Sequence, residues 1–185
     1  MHKILTALCL ALGSALGSCV LPAEAADRGP KVVSPAAFVT RAALSDMFET
    51  QSSELAAVKA DKRTRAFAAM MNADHQKTSS QLRGIVKGHA EDLPLPPRLD
   101  PAHQKLIDRL KGLDGDAFTK QYQADQLQAH VQAIALFEAF ATNGVDAQLR
   151  QWAAQTLPKL KEHLKEAKAL AHSAWGQARL KKPRR

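Results

Sequence analysis

The chain has 185 residues, of which 45% are hydrophobic, 24% charged and only 5% aromatic, with a formal net charge of +8. That length favours one domain, and the composition is too apolar for intrinsic disorder and too poor in β-branched and aromatic residues for a β-sandwich or barrel. The charge is unevenly spread: Lys3 and Glu24 cancel within residues 1–25, Arg179, Lys181, Lys182, Arg184 and Arg185 carry +5, and the body between keeps only +3.

Met1-His2-Lys3 precedes an uncharged, mainly apolar run from Ile4 to Leu16 and then small residues, the order of a secretory signal. Thirteen uncharged residues fall short of the ~20 needed for a helical membrane span. Two processing routes fit. Ala23-Glu24-Ala25, just after Pro22, matches the small-x-small rule and makes residues 1–25 a signal peptide of a periplasmic protein. Leu16-Gly17-Ser18-Cys19 resembles a lipobox, in which case Cys19 is lipidated and anchors the protein in the outer membrane. Cys9 and Cys19 are the only cysteines, so cleavage after Ala25 leaves neither a disulfide nor a cysteine metal site.

The body, residues 34–176, reads as a helical bundle. Ser34-Pro35 supplies a capping side chain and a proline at the first helical position. Apolar and small residues then recur at helical spacing through Phe38, Ala42, Glu49, Ala56 and Ala60. Asp61 opens a second helix with the stripe Phe67, Met71, His75, Leu82 and Ile85, ending near Gly88. Pro94, Pro96, Pro97 and Pro101 mark an extended connection, and a short helix over His103 to Lys111 is broken at Gly112 and Gly115. From Asp116 a third long helix carries Phe118, Tyr122, His130, Ile134 and Phe137 and stops at Asn143-Gly144. A fourth carries Leu149, Trp152, Leu160, His163 and Leu170, with a kink expected at Pro158. The predicted fold is an all-α four-helix bundle with a short extra helix between helices 2 and 3. Residues 177–185 lack an apolar face and read as a disordered basic tail, suited to an anionic envelope surface. With one Tyr and two Trp, mostly on core rows, and with export expected, nucleic acid is not a predicted partner.

Catalytic signatures are missing: the chain has no Gly-rich phosphate loop, no G-x-S-x-G, no H-E-x-x-H and no cysteine nucleophile outside residues 1–25. The chemical lead is one polar residue on the core row of each long helix, namely Glu49, His75, His130 and His163. Imidazole and carboxylate donors on facing helices suit zinc, iron or copper. Taking 1.5 Å per residue, Glu49 and His75 lie about 18 and 21 Å from a turn at Asp61. His130 and His163 lie about 21 and 28 Å from Gly144, which leaves His163 ~7 Å out of line. The competing expectation is a metal-free polar layer in which Glu49 is hydrogen-bonded to neutral histidines. His89, His103 and His172 fall near helix ends and are expected to be solvated.

Phe38-Val39 with Glu49, Phe67-Ala68 and Asp74-His75, Asp100-x-x-His103, the run Tyr122…His130…Leu136-Phe137-Glu138, and Thr156-Leu157-Pro158-x-Leu160-x-x-His163-Leu164 together resemble the bacterial domain-of-unknown-function 4142 family. The resemblance spans Ser34 to Leu170. It implies an exported, ferritin-like four-helix bundle, often described as a predicted outer-membrane protein, without an established activity. Ferritin-like di-iron sites need two Glu-x-x-His motifs. Asn72, Leu127 and Leu160 stand three before His75, His130 and His163, so that chemistry is not expected, whereas a mononuclear site survives. The function expected from the sequence is a non-enzymatic binding or stress-related role in the cell envelope, the alternative being a metal-storage protein or metalloenzyme.

Overall fold

In the computed structural model the described residues are 33–89 and 92–180, with side chains described up to His172. The segment read as a secretory signal, Cys19, and residues 181–185 of the expected basic tail lie outside them. Five helices follow in order: α1 (Pro35–Lys59), α2 (Lys62–Lys87), α3 (Pro101–Lys111), α4 (Gly115–Asn143) and α5 (Ala147–Leu180). The four long helices pack as a bundle, with α3 between α2 and α4 in the chain.

The helix starts follow from local chemistry. Ser34 accepts a bond from the Ala37 amide at 3.2 Å, Asp61 from Thr64 at 2.8 Å and Asp100 from His103 at 2.8 Å. Each such cap is worth ~1 kcal/mol. Gly115 opens α4 at φ +54°, a left-handed conformation that favours glycine. The sequence reading passed over one cap: Asp146 accepts from the Leu149 amide at 2.7 Å and starts α5. At the same turn a Cβ on Gly144 would lie 2.6 Å from the Phe140 carbonyl oxygen, so the chain needs glycine there. Helix α5 runs unbroken through Pro158 and extends to Leu180, into the stretch assigned to the tail.

Helices α1 and α2 form one hairpin and α4 and α5 the other, while α1 also packs on α4 and α2 on α5. Lys59 donates to the carbonyls of Lys111 and Leu113, and the Asp61 amide donates to Thr119. The end of α3 and the start of α4 therefore sit at the α1–α2 turn. His89, just after α2, meets Asp146 at the opposite end. The connection thus crosses the length of the bundle, the connectivity of ferritin-like folds. It is tied down by Leu93 and Leu99, both buried.

The core has two apolar ends. Phe38, Phe137, Phe140, Leu149 and Trp152 pack at one, with Phe38 stacked on Phe140 at 4.0 Å between centroids. Ala56, Phe67, Met71, Phe118, Tyr122 and Leu170 pack at the other. Tyr122 and Trp152 are core residues, as expected, and Tyr122 shares a 3.0 Å hydrogen bond with Ser53. Helix α1 is covered by α2, α3 and α4. Its buried surface therefore exceeds one stripe and takes in Leu44, Asp46 and Phe48, which the periodicity did not single out.

Candidate metal centre

Between the two apolar ends lies a polar layer with one contribution from each long helix. His75, His130, His163 and Glu49 are each 1 to 2% exposed. The three rings face one another at centroid distances of 5.8 Å (His75–His130), 5.5 Å (His75–His163) and 5.4 Å (His130–His163).

One nitrogen of each ring is engaged by the protein. His75 Nδ1 meets Asp46 Oδ1 at 2.8 Å, His130 Nδ1 meets the Gln126 carbonyl at 2.8 Å, and His163 Nε2 meets Asp74 Oδ2 at 2.9 Å. The Gln126 carbonyl can only accept, so His130 Nδ1 carries a hydrogen and, in the neutral ring, Nε2 presents its lone pair. The opposite nitrogens, His75 Nε2, His130 Nε2 and His163 Nδ1, are buried and without a hydrogen-bond partner. Asp46 is itself held by the hydroxyls of Thr78 at 2.9 Å and Ser79 at 3.2 Å, which fixes the His75 ring.

One ligand atom from each histidine lies within 4.8 Å of those of the other two. Three points that close share a centre no more than ~2.8 Å from any of them, against ~2.0–2.1 Å for a zinc–imidazole bond. Inward shifts of under ~1 Å would thus complete a three-nitrogen site.

The axial arithmetic left His163 out of line, yet it joins the cluster. Side chains lean toward the N-terminus of their own helix. In the antiparallel α4–α5 hairpin this carries His130 away from the connecting turn and His163 toward it, closing the gap. The Asp146 cap also starts α5 beyond Gly144, so the turn itself takes up part of the count.

Glu49 adjoins the cluster on a different footing. Its Oε1 is 3.8 Å from His130 Nδ1, too long for a hydrogen bond, and neither carboxylate oxygen has a partner. The hydrogen-bonded Glu–His layer expected as the metal-free arrangement does not form. The histidines' partners are Asp46 and Asp74, which the search of core rows missed; Asp74 stood next to His75 in the sequence, and Asp46 one turn before Glu49 on a face that α2 covers.

The electrostatics separate the rings. Burial, the largest influence, lowers the pKa of His75, but the Asp46 hydrogen bond and the charges of Glu49, Asp46 and Asp74 together raise it above the ordinary value. Burial pushes His163 down to about 4, with His75 and His130 adding to the effect and Asp74 opposing it. A proton in the cluster is favoured on His75 over His163.

The remaining histidines lie elsewhere. His172 is exposed, as expected. His89 is more enclosed than expected because Asp146 binds it at 2.7 Å across the end of the bundle. His103 pairs with Asp100 at 2.9 Å and lies against Phe48. Among the described residues no helix is long and apolar enough to cross a membrane.

No curated protein and no solved structure matches the chain. The profile described as "Domain of unknown function (DUF4142)" matches residues 20–170, which takes in all of α1 to α4 and most of α5. The chain is a member of the DUF4142 family.

Proposed function

We propose that this protein is an exported, non-enzymatic metal-binding bundle that holds one divalent transition-metal ion, with zinc as the reference ion, on His75, His130 and His163. The observation that carries this reading is the pairing of opposites on each ring. One nitrogen is fixed by a carboxylate or carbonyl, the other is buried and unpartnered, and each ring brings a nitrogen within 4.8 Å of one from each of the other two. Outer carboxylates and carbonyls of this kind orient metal-binding imidazoles and raise their basicity. Three unsatisfied nitrogens beside an unsatisfied carboxylate are costly to bury without a ligand.

Glu49 stands outside the three-nitrogen group and supplies a buried carboxylate beside it, with Oε1 3.8 Å from His130 Nδ1. Its carboxylate offsets part of the ion's charge, and three imidazoles with oxygen suit zinc, iron(II) or copper(II) better than the softer copper(I). The seclusion of the four residues favours retention of an ion over turnover of a substrate. The N-terminal segment supports passage to the periplasm or, through Cys19, to an outer-membrane anchor, and the basic tail is suited to anionic envelope polymers.

The test is elemental analysis and thermal denaturation of protein made without a histidine tag. One equivalent of zinc per chain, a raised melting temperature and loss of both in His130→Ala support the proposal. No bound metal, together with no shift on adding zinc, iron(II) or copper(II), overturns it.

A further inference from the structure

The three rings are enclosed, so an ion needs a way in. Along the bundle the layer is closed by the two apolar ends, with Leu82 and Leu160 on one side and Met71 and Ala167 on the other. Sideways the enclosure is uneven. Of the groups that hydrogen-bond the rings, Gln126 is 0% exposed and the Asp46 side chain 8%, with both Asp46 oxygens engaged by His75, Thr78 and Ser79. The Asp74 side chain is 30% exposed while its Oδ2 meets His163 Nε2 at 2.9 Å. Asp74 thus touches both water and the cluster.

The surroundings of Asp74 fit a passage. Asp74 on α2 and His163 on α5 close the seam between these helices at a point flanked by two surface clefts. One, of about 400 Å³, is lined by Gln81, Gly84 and Trp152, and the other, of about 290 Å³, by Phe67, Met70 and Leu170. Every residue lining them belongs to α2 or α5, so the two helices part on either side of the pair. Lys159 and Glu162 on α5 lie close enough to feel the Asp74 charge, and they pair with each other at 2.7 Å. Two carboxylates against one ammonium leave the mouth of the seam negative, which draws in a cation.

Resting on the histidine site proposed above, we propose that a divalent cation enters through the α2–α5 seam and that Asp74 is its first contact with the protein. A hydrated ion meets the exposed carboxylate, an oxygen ligand suited to an ion that still carries water. The Asp74–His163 bond opens, and the ion passes to the rings as it sheds its waters. Asp46 holds His75 in the same manner but behind a closed wall, so it serves the bound ion and not its entry.

Stopped-flow mixing of the full mature, untagged, metal-free chain with zinc, and competition with a zinc-responsive dye, give the rates of uptake and release. Asp74→Asn should slow uptake ~10-fold or more. Asp46→Asn should keep uptake within about twofold of the parent and speed release instead. Glu162→Gln, at an exposed position that binds no ring, should slow uptake and release together and leave the affinity unchanged, the mark of a residue on the path. Added salt should slow the parent more than Asp74→Asn. Uptake at the parent rate in a folded Asp74→Asn protein, or equal slowing in Asp46→Asn, overturns the route and leaves the histidine site standing. If Asp74→Asn does not fold, an unchanged uptake rate in Glu162→Gln overturns the route. If the parent takes up no zinc, the histidine site fails and the route with it.

Discussion

Replacing Glu49 by glutamine tests whether the carboxylate is there for a cation. The change keeps the shape and removes the charge. No protein group donates a hydrogen bond to either Glu49 oxygen and the side chain is 2% exposed, so the protein alone does not offset its desolvation. A buried unsatisfied group costs ~1–3 kcal/mol, more when charged. Glutamine still buries an unpaired amide, so the metal-free variant should gain only the charged group's excess, on the order of 1 kcal/mol. For a domain of this size each kcal/mol moves the melting temperature by about 2–4 °C, which predicts a rise of roughly 2 to 4 °C. With zinc the sign turns. Losing a charge at or beside the ion should weaken binding ~10–100-fold, about 1.4–2.7 kcal/mol, and the variant should gain correspondingly less stability from excess zinc than the parent. Circular-dichroism melts of both proteins at pH 8, in chelator and in excess zinc, give the four numbers of the cycle. Equal destabilisation of the variant in both conditions would refute the reasoning, because it would mean that the carboxylate is satisfied by the protein alone.

Other outcomes follow from the same geometry. Asp46→Asn leaves all three imidazoles in place but frees or reverses the His75 Nδ1 contact, and should lower zinc affinity ~10–100-fold in a chelator competition. Protonation of His163 has a folded pKa of about 4 against ~6.5 when unfolded, so the unfolded chain binds the extra proton between those values. The stability it contributes is full above pH 6.5 and is lost as pH falls toward 4, by ~2 kcal/mol at pH 5. The metal-free parent should show that loss relative to His163→Leu in urea titrations at pH 7 and pH 5. His75, whose pKa is raised, contributes with the opposite sign, its stability present at low pH and lost as pH rises through its folded value. Gly144→Ala should cost ~1–3 kcal/mol in thermal denaturation, because the new Cβ meets the Phe140 backbone. Intact mass of the exported protein should give either a chain beginning at Ala26 or a diacylglyceryl group on Cys19.

The fold was largely legible in the chain because its signals are local. Ser34, Asp61 and Asp100 cap helices where they stand in the sequence, and the prolines of the connection exclude helix there. The four members of the polar layer were legible as interruptions of apolar rows. Their relations were not, since these depend on packing. Asp46 appears solvent-facing on a helical wheel until α2 covers it, and His163 falls out of register until the lean of antiparallel side chains is included. The setting of α3 was invisible for a similar reason: the sequence shows the short helix, but not that it would pack against α1 and α4.

The central claim is that three ring nitrogens share one ion, and X-ray absorption at the zinc edge of the loaded, untagged protein tests it most directly. The account predicts three imidazole nitrogens and one oxygen at ~2.0–2.1 Å in a four-coordinate shell, with one imidazole lost in His163→Ala. A six-oxygen shell, or an unaltered spectrum in that variant, would contradict it.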